Sequence, residues 1–241
     1  HMLCIFPFEP ELLARAGIEA TYVGHPLAQT IAMTPDRAAA RQALGLDADG
    51  PVVALLPGSR QSEVEHLVPR FIQAAQIMHK KQPCVQFVLP TIPSLLPVVR
   101  KLLDAQGGLK GLKVLSGQSH QALAACDVTL IASGTATLEA ALFKRPMVIG
   151  YHMNWLSWQI MKRKKLQPWV GLPNILCQDF VVPEFIQDQC TPEALAVATL
   201  DWLAQPDRVD ALQTRFQQLH QTLQRDTADL ATHALEKVLG A

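Results

Sequence analysis

Two short segments of this chain place phosphate-suited chemistry directly after an apolar run. Leu55-Leu56-Pro57-Gly58-Ser59-Arg60 offers two turn residues, a hydroxyl and backbone N–H at Ser59, and the planar fork of Arg60. The helical pattern that follows supplies a helix N-terminus, whose unpaired N–H groups and dipole favour an anion. An arginine there suits a diphosphate and would stabilise the charge of a departing one. Ala132-Ser133-Gly134-Thr135 repeats the arrangement, and Glu139, about one helical turn further on, is within reach of ribose hydroxyls. Each segment alone also fits an ordinary βα turn, with a solvent-facing Arg60 in one case and a capped helix bearing an exposed Glu139 in the other. Two such turns after two strands reinforce each other.

A third segment carries different chemistry. Tyr151, His152, Trp155 and Trp158 precede Lys162-Arg163-Lys164-Lys165, and Trp169 follows. Basic residues interleaved with tryptophans suit an anionic membrane surface. An amphipathic helix with its tryptophans packed inward and a solvated basic face fits the same pattern. Gly171-Leu172-Pro173-Asn174 comes next, a polar turn in which Asn174 is placed to hydrogen-bond a ligand.

The elements that must position these residues alternate. Apolar runs at Leu3–Phe6, Thr21–Val23, Val52–Leu56, Val85–Leu89, Lys113–Leu115, Val128–Ala132 and Met147–Gly150 read as strands with helical patterns between them, the signature of a parallel α/β sheet. In such sheets ligands bind beyond the carboxyl ends of the strands, where both turns lie. The helix after Arg60 shows apolar residues at Val64, Leu67, Val68, Phe71, Ile72, Ala75 and Met78, and Ser62-x-x-Glu65 reads as its capping box. Thr34-Pro35 and Thr191-Pro192 each read as an N-cap followed by proline in the first turn. Strand signals stop near Val181. Residues 192–204 and roughly 207–239 read as helices that follow the sheet, with an apolar stripe (Leu212, Phe216, Leu219, Leu223, Leu230, Ala234, Val238) that needs a partner surface.

Composition narrows the function classes. Lys+Arg and Asp+Glu are both 21 in 241 residues, so global charge argues against a nucleic-acid binder. The mean hydropathy of +0.14 is slightly high, yet no apolar run reaches the ~18 residues of a membrane span. No secretory signal pattern is present. Five widely spaced cysteines without a CxxC form neither a disulfide framework nor a zinc site; Cys4, Cys84 and Cys126 read as small core residues in a reducing cytoplasm. Asp47-Ala48-Asp49 matches a metal-binding DxD pattern but sits in a Gly- and Pro-flanked turn, and no metal is expected. Gly24-His25-Pro26 reads as a turn. The chain opens His-Met, like an expression scar, and enters an apolar strand at once, so an N-terminal truncation is expected.

Taken in order, Tyr22-Val23-Gly24-His25-Pro26-Leu27, Leu55 to Arg60 with Glu63-Val64-Glu65, Ala132 to Glu139, Gly150-Tyr151 and Leu172-Pro173-Asn174 resemble the carboxy-terminal part of lipid-A-disaccharide synthases, glycosyltransferases of the GT-B class. Ile5 to Glu9 and Phe216 to His220 extend the resemblance to both ends. It implies a peripheral inner-membrane enzyme in the cytoplasm. That enzyme transfers 2,3-diacylglucosamine from its UDP-linked form to 2,3-diacylglucosamine 1-phosphate, with inversion and release of UDP, and needs no cofactor or metal. By resemblance, Arg60 and the Ser133–Thr135 turn stabilise the diphosphate, Glu139 holds the ribose, and Gly58, Ser59, Glu63, Tyr151 and Asn174 complete the binding cleft. Trp155, Trp158, Lys162, Arg163, Lys164, Lys165 and Trp169 then rest on the anionic membrane.

The same resemblance implies a division of the chain. Residues 1–30 correspond to the end of an amino-terminal domain that carries the acceptor site and the general base. Residues 31–190 form the Rossmann-like UDP-sugar domain, and residues 191–241 are helices that pack back toward the missing part. A UDP-binding fragment, inactive alone and dimeric through its unpaired surfaces, is expected. Two alternatives remain open: another UDP-GlcNAc-type GT-B transferase or epimerase, and a non-catalytic interaction module.

Overall fold

The computed structural model of the protein describes residues 1–153 and 167–240. Six parallel strands form the central sheet: β3 (Val52–Leu56), β4 (Gln86–Thr91), β5 (Leu112–Ser116), β6 (Val128–Ala132), β7 (Met147–Tyr151) and β8 (Glu184–Ile186), in the spatial order β5-β4-β3-β6-β7-β8. Every residue of β3 and β6 is buried, as continuous Val, Leu, Ile and Ala runs covered by helices on both faces require. The chain runs outward from β3 through β4 to β5, then returns to lay β6 on the other flank of β3. The direction of winding therefore reverses between β3 and β6, and a crevice opens at their carboxyl ends.

On one face lies α4 (Gln61–Lys81), whose Val64, Leu67, Val68, Phe71, Ile72, Ala75 and Met78 are fully buried. It packs beside α5 (Leu96–Ala105) and α9 (Pro192–Ala204). The other face carries α3 (Arg37–Leu44), α6 (Ser119–Ala125) and α7 (Thr135–Leu142), followed by α8 (Leu172–Cys177) and α10 (Pro206–Leu223). A separate parallel pair, β1 (Met2–Cys4) and β2 (Ala20–Tyr22), flanks α1 (Glu9–Arg15), and α2 (Pro26–Thr30) leads from it toward the main sheet. The last helix, α11 (Thr227–Leu239), reaches back to touch β2.

Several sequence expectations need correcting. Strand signals do not stop at Val181: β8 pairs with β7 although Glu184-Phe185-Ile186, three residues long, is too short to stand out. The helix expected over 207–239 is broken at residues 224–226, where the Asp226 carboxylate accepts the Asp229 N–H and starts α11. The apolar stripe divides there. Leu212, Phe216, Leu219 and Leu223 are buried, with α10 packed against α7, α2 and α9, whereas Val238 is 55% exposed. Asp36, rather than Thr34, caps α3 by accepting the Ala39 N–H at 2.9 Å, while Thr191 does cap α9. Cys84 is exposed, unlike Cys4 and Cys126. His25 caps α2 through Nδ1, at 3.2 Å from the Leu27 nitrogen. Among the described residues no helix is long and apolar enough to cross a membrane.

Candidate functional site

Because β3 and β6 are neighbours in register, the turns that follow them stand side by side. They enclose a cleft of about 450 Å³ at the winding reversal. Gly58, Ser59, Arg60 and Glu63 form one wall, and Ser133, Gly134, Thr135 and Glu139 form the facing one. The third side comes from the loops after β4 and β5, including Thr91 and Gly117. Seven residues singled out by local sequence, and Glu63 from the family resemblance, thus share one cavity, although some 75 positions separate the two walls.

The two turns are not equivalent. After β3, Gly58 has φ of +107°, and an added Cβ would lie 2.5 Å from Glu63 Oε2. Glu63 stands in the first turn of α4, and its carboxylate accepts the N–H groups of Ser59 and Arg60, both at 3.3 Å. The helix therefore caps itself with Glu63 and starts two residues earlier than the Ser62/Glu65 box implies. Glu65 instead accepts a hydrogen bond from Gln61. An anion arriving here finds those N–H groups already engaged by a carboxylate. What the turn offers is the Arg60 guanidinium, 81% exposed and, among the described residues, tied to Glu63 Oε1 at 3.2 Å alone.

After β6 the situation is reversed. Gly134 takes φ of +153°, with open space where a Cβ would be, and leads straight into α7. The first-turn N–H groups of Thr135 and Ala136 have no acceptor among the described residues. Thr137 closes the turn on Gly134 O, with its hydroxyl at 2.7 Å and its N–H at 3.1 Å. Free N–H groups at a helix start, with no acidic residue in the first turn, make the stronger anion cradle.

Glu139 points into the same space from α7. Burial holds its carboxyl above the usual carboxylate range, and His120, whose Nε2 lies 3.6 Å from Oε2, pulls in the opposite direction. Tyr151 ends β7 at half-burial beside Glu63 and Arg60. Burial raises its hydroxyl pKa first, the Glu63 charge adds to this, and Arg60 opposes it.

Asn174 does not line the cleft. It is fully buried, its Nδ2 donating to Val182 O at 2.9 Å and to Glu184 Oε1 at 2.8 Å while its Oδ1 accepts the Val182 N–H at 3.0 Å. Its amide is spent on joining α8 to β8, and the expectation that it meets a ligand is corrected. The Glu184 carboxylate also accepts the N–H groups of Val170 and Gly171, and Ser133 Oγ donates to Val170 O at 3.2 Å. Glu184 thus braces the loop on which the Ser133 turn leans. Sequence reasoning missed it, since a single Glu after the last recognised strand carries no signal. Thr91 was missed as well: its hydroxyl is buried at the cleft wall with no partner among the described residues.

Of the aromatic and basic segment, Trp155, Trp158, Lys162, Arg163, Lys164 and Lys165 lie outside the described residues. Trp169 is half-buried with its ring edge toward Phe180, centroids 6.2 Å apart, and Phe180 is 60% exposed. The Asp47–Asp49 loop lies at the opposite, amino-terminal end of β3, where its carbonyls are occupied by Arg41.

Comparison with known proteins agrees with this geometry. A lipid-A-disaccharide synthetase family model matches residues 1–238. The chain is 63% identical over 243 residues to a lipid-A-disaccharide synthase of Albidiferax ferrireducens and 56% identical to that of Verminephrobacter eiseniae. In both cases 99% of this chain is covered, and the chain spans 62% of the relative's length. Among solved structures, a UDP-GlcNAc 2-epimerase from Neisseria meningitidis bound to UDP-GlcNAc superposes with a TM-score of 0.64 at 13% identity, over 99% of this chain and 61% of that one. The lipopolysaccharide glycosyltransferase WaaG superposes with a TM-score of 0.56 at 14% identity, over 86% of this chain and 51% of that one. These likenesses show a shared Rossmann-like fold. The family match, high identity to its members and the paired turns converge: the chain belongs to the lipid-A-disaccharide synthetase family.

Proposed function

We propose that this chain is the nucleotide-sugar half of a hexosyltransferase that moves 2,3-diacylglucosamine from UDP to 2,3-diacylglucosamine 1-phosphate in lipid A synthesis. The observation that carries the reading is the pairing, across one cleft, of the exposed Arg60 with N–H groups at the start of α7 that have no acceptor among the described residues. Together they supply preorganised positive potential on two sides of a diphosphate, so charge growing on the departing UDP meets groups already in place. Glu139 is placed one turn along α7 to accept from ribose hydroxyls. No metal or other cofactor has a part in this scheme, since Arg60 and the α7 N-terminus take the role of a cation.

The division at residue 30 follows from the same reading, with α9 kept in the nucleotide-binding unit on which it packs. The β1–β2 pair with α1 belongs to a second domain that supplies the acceptor site and general base, so residues 1–241 bind UDP without transferring sugar. Placement on the anionic inner-membrane surface through the Trp155–Trp169 segment fits a reaction whose two substrates carry acyl chains.

Calorimetric titration of UDP into the chain tests the reading. Saturable binding is expected, weakened about tenfold or more by Arg60→Ala and by Glu139→Ala, each of which removes a hydrogen bond involving a charged group. Absence of saturable binding, or binding indifferent to both substitutions, would overturn it. An epimerase-like reading shares the fold, and preference for an unacylated UDP-sugar over the acylated one would favour it.

A further inference from the structure

The Glu139 carboxylate is half-sequestered, and a ligand-binding carboxylate in that position faces a difficulty. Burial favours its neutral form, which loses acceptor capacity and negative charge, yet a ribose diol is best held by an ionised carboxylate accepting two hydrogen bonds. Something must keep it charged and aimed. Among the described residues, the titratable neighbour acting on it is His120, in the first turn of α6. Arg60 and Glu63 stand on the opposite wall of the cleft.

The geometry is specific. His120 Nε2 faces Oε2 of Glu139 at 3.6 Å, within ion-pair reach and longer than a hydrogen bond. The imidazole is itself held, packing edge-on to Phe143 with ring centroids 5.3 Å apart at 60°. Phe143 directly follows α7, the helix that carries Glu139. The ring therefore ties α6 to α7, and the imidazole cannot swing away without losing that contact. About half of the His120 side chain remains exposed.

We propose that His120 is a positioning residue for Glu139: its imidazole stands against Oε2 and keeps the carboxylate aimed into the cleft for the nucleotide. This rests on the reading of the cleft as a nucleotide site. Nucleotide affinity then falls once the imidazole is gone.

Two measurements test the pair separately from the site. Carbon-13 NMR of the Glu139 carboxyl in the free chain is expected to show its titration midpoint moving up in His120→Gln. UDP titration is expected to show His120→Gln binding about threefold more weakly than the native chain, the scale of a partly exposed ion pair. His120→Arg, which keeps a positively charged donor at this position, should restore the affinity. An unmoved Glu139 midpoint, or His120→Gln matching the native affinity, would overturn the proposal. If the native chain bound no UDP the proposed function would fall, and the NMR midpoint would still decide whether His120 governs Glu139.

Discussion

The two ends of β3 and β6 treat an arginine in opposite ways. At the amino ends, Arg41 is 2% exposed and every donor group is used. Nε meets Ala125 O at 3.0 Å, Nη1 meets the carbonyls of Asp47, Ala48 and Gly50 at 2.7–3.1 Å, and Nη2 meets Asp127 Oδ2 at 2.8 Å. Asp127 is equally occupied, accepting from Arg37 and from the Val52 N–H. At the carboxyl ends, among the described residues, Arg60 makes one side-chain hydrogen bond and the Thr135 and Ala136 N–H groups make none. A saturated cation closes a structure, whereas an unsaturated one beside a free helix N-terminus is held ready for something that arrives. Lys144 lies between these limits: buried after α7, it meets His220 Nδ1 at 2.6 Å and Ala32 O at 3.5 Å.

This contrast is sharpest in stability. Arg41→Met should cost about 3 kcal/mol, because it takes the donors from four carbonyls and leaves Asp127 with Arg37 and the Val52 N–H as its remaining partners. Urea unfolding measures it, and a loss below about 1 kcal/mol would mean that the loop relaxes into water. The two glycine turns give a middle-sized test. Gly58→Ala must pay both for φ of +107° and for the collision with Glu63, so it should lose about 2 kcal/mol. Gly134→Ala meets only the backbone term and should lose about 1 kcal/mol. Thermal unfolding of the two variants checks the order, and a reversed order would show that Glu63 swings aside without cost.

Lys144 gives the smallest effect and a defined sign. Burial, and secondarily Arg145, push its pKa down from the ordinary 10.5 to about 8. Between these values the unfolded chain holds a proton that the folded chain has lost, so the lysine's contribution to stability rises with pH across that window and is constant below it. The Tm difference between the native chain and Lys144→Met should therefore move in favour of the native chain from about pH 8 toward 10.5. A difference that stays constant would place Lys144 with Arg60, hydrated and fully charged.

Much of this was legible locally. Strands β3 and β6 were readable to the residue because a strand buried on both faces must be an unbroken apolar run. Thr191-Pro192 was readable because a cap and its proline are nearest neighbours. The failures share one physical origin. Ser62/Glu65 and Thr34 fit their caps as well as Arg60/Glu63 and Asp36 do, and only the exit angle of the chain from the preceding turn selects between them. The three-residue strand β8 exists because β7 presents an open edge to pair with, which so short a segment as Glu184-Phe185-Ile186 does not announce.

The sequence by itself determined which residues bear charge, which turns require glycine and which family the motifs resemble, since those depend on residue type and short spacing. Only the tertiary structure decided what each group is free to do. It spent Asn174 on Glu184 and Val182 and filled the α4 N-terminus with Glu63. It left the α7 N-terminus open and brought His120 to Glu139 across the α6–α7 boundary. Hydrogen-bond capacity is finite, so a polar side chain becomes available to a ligand only when the fold has found no other partner for it.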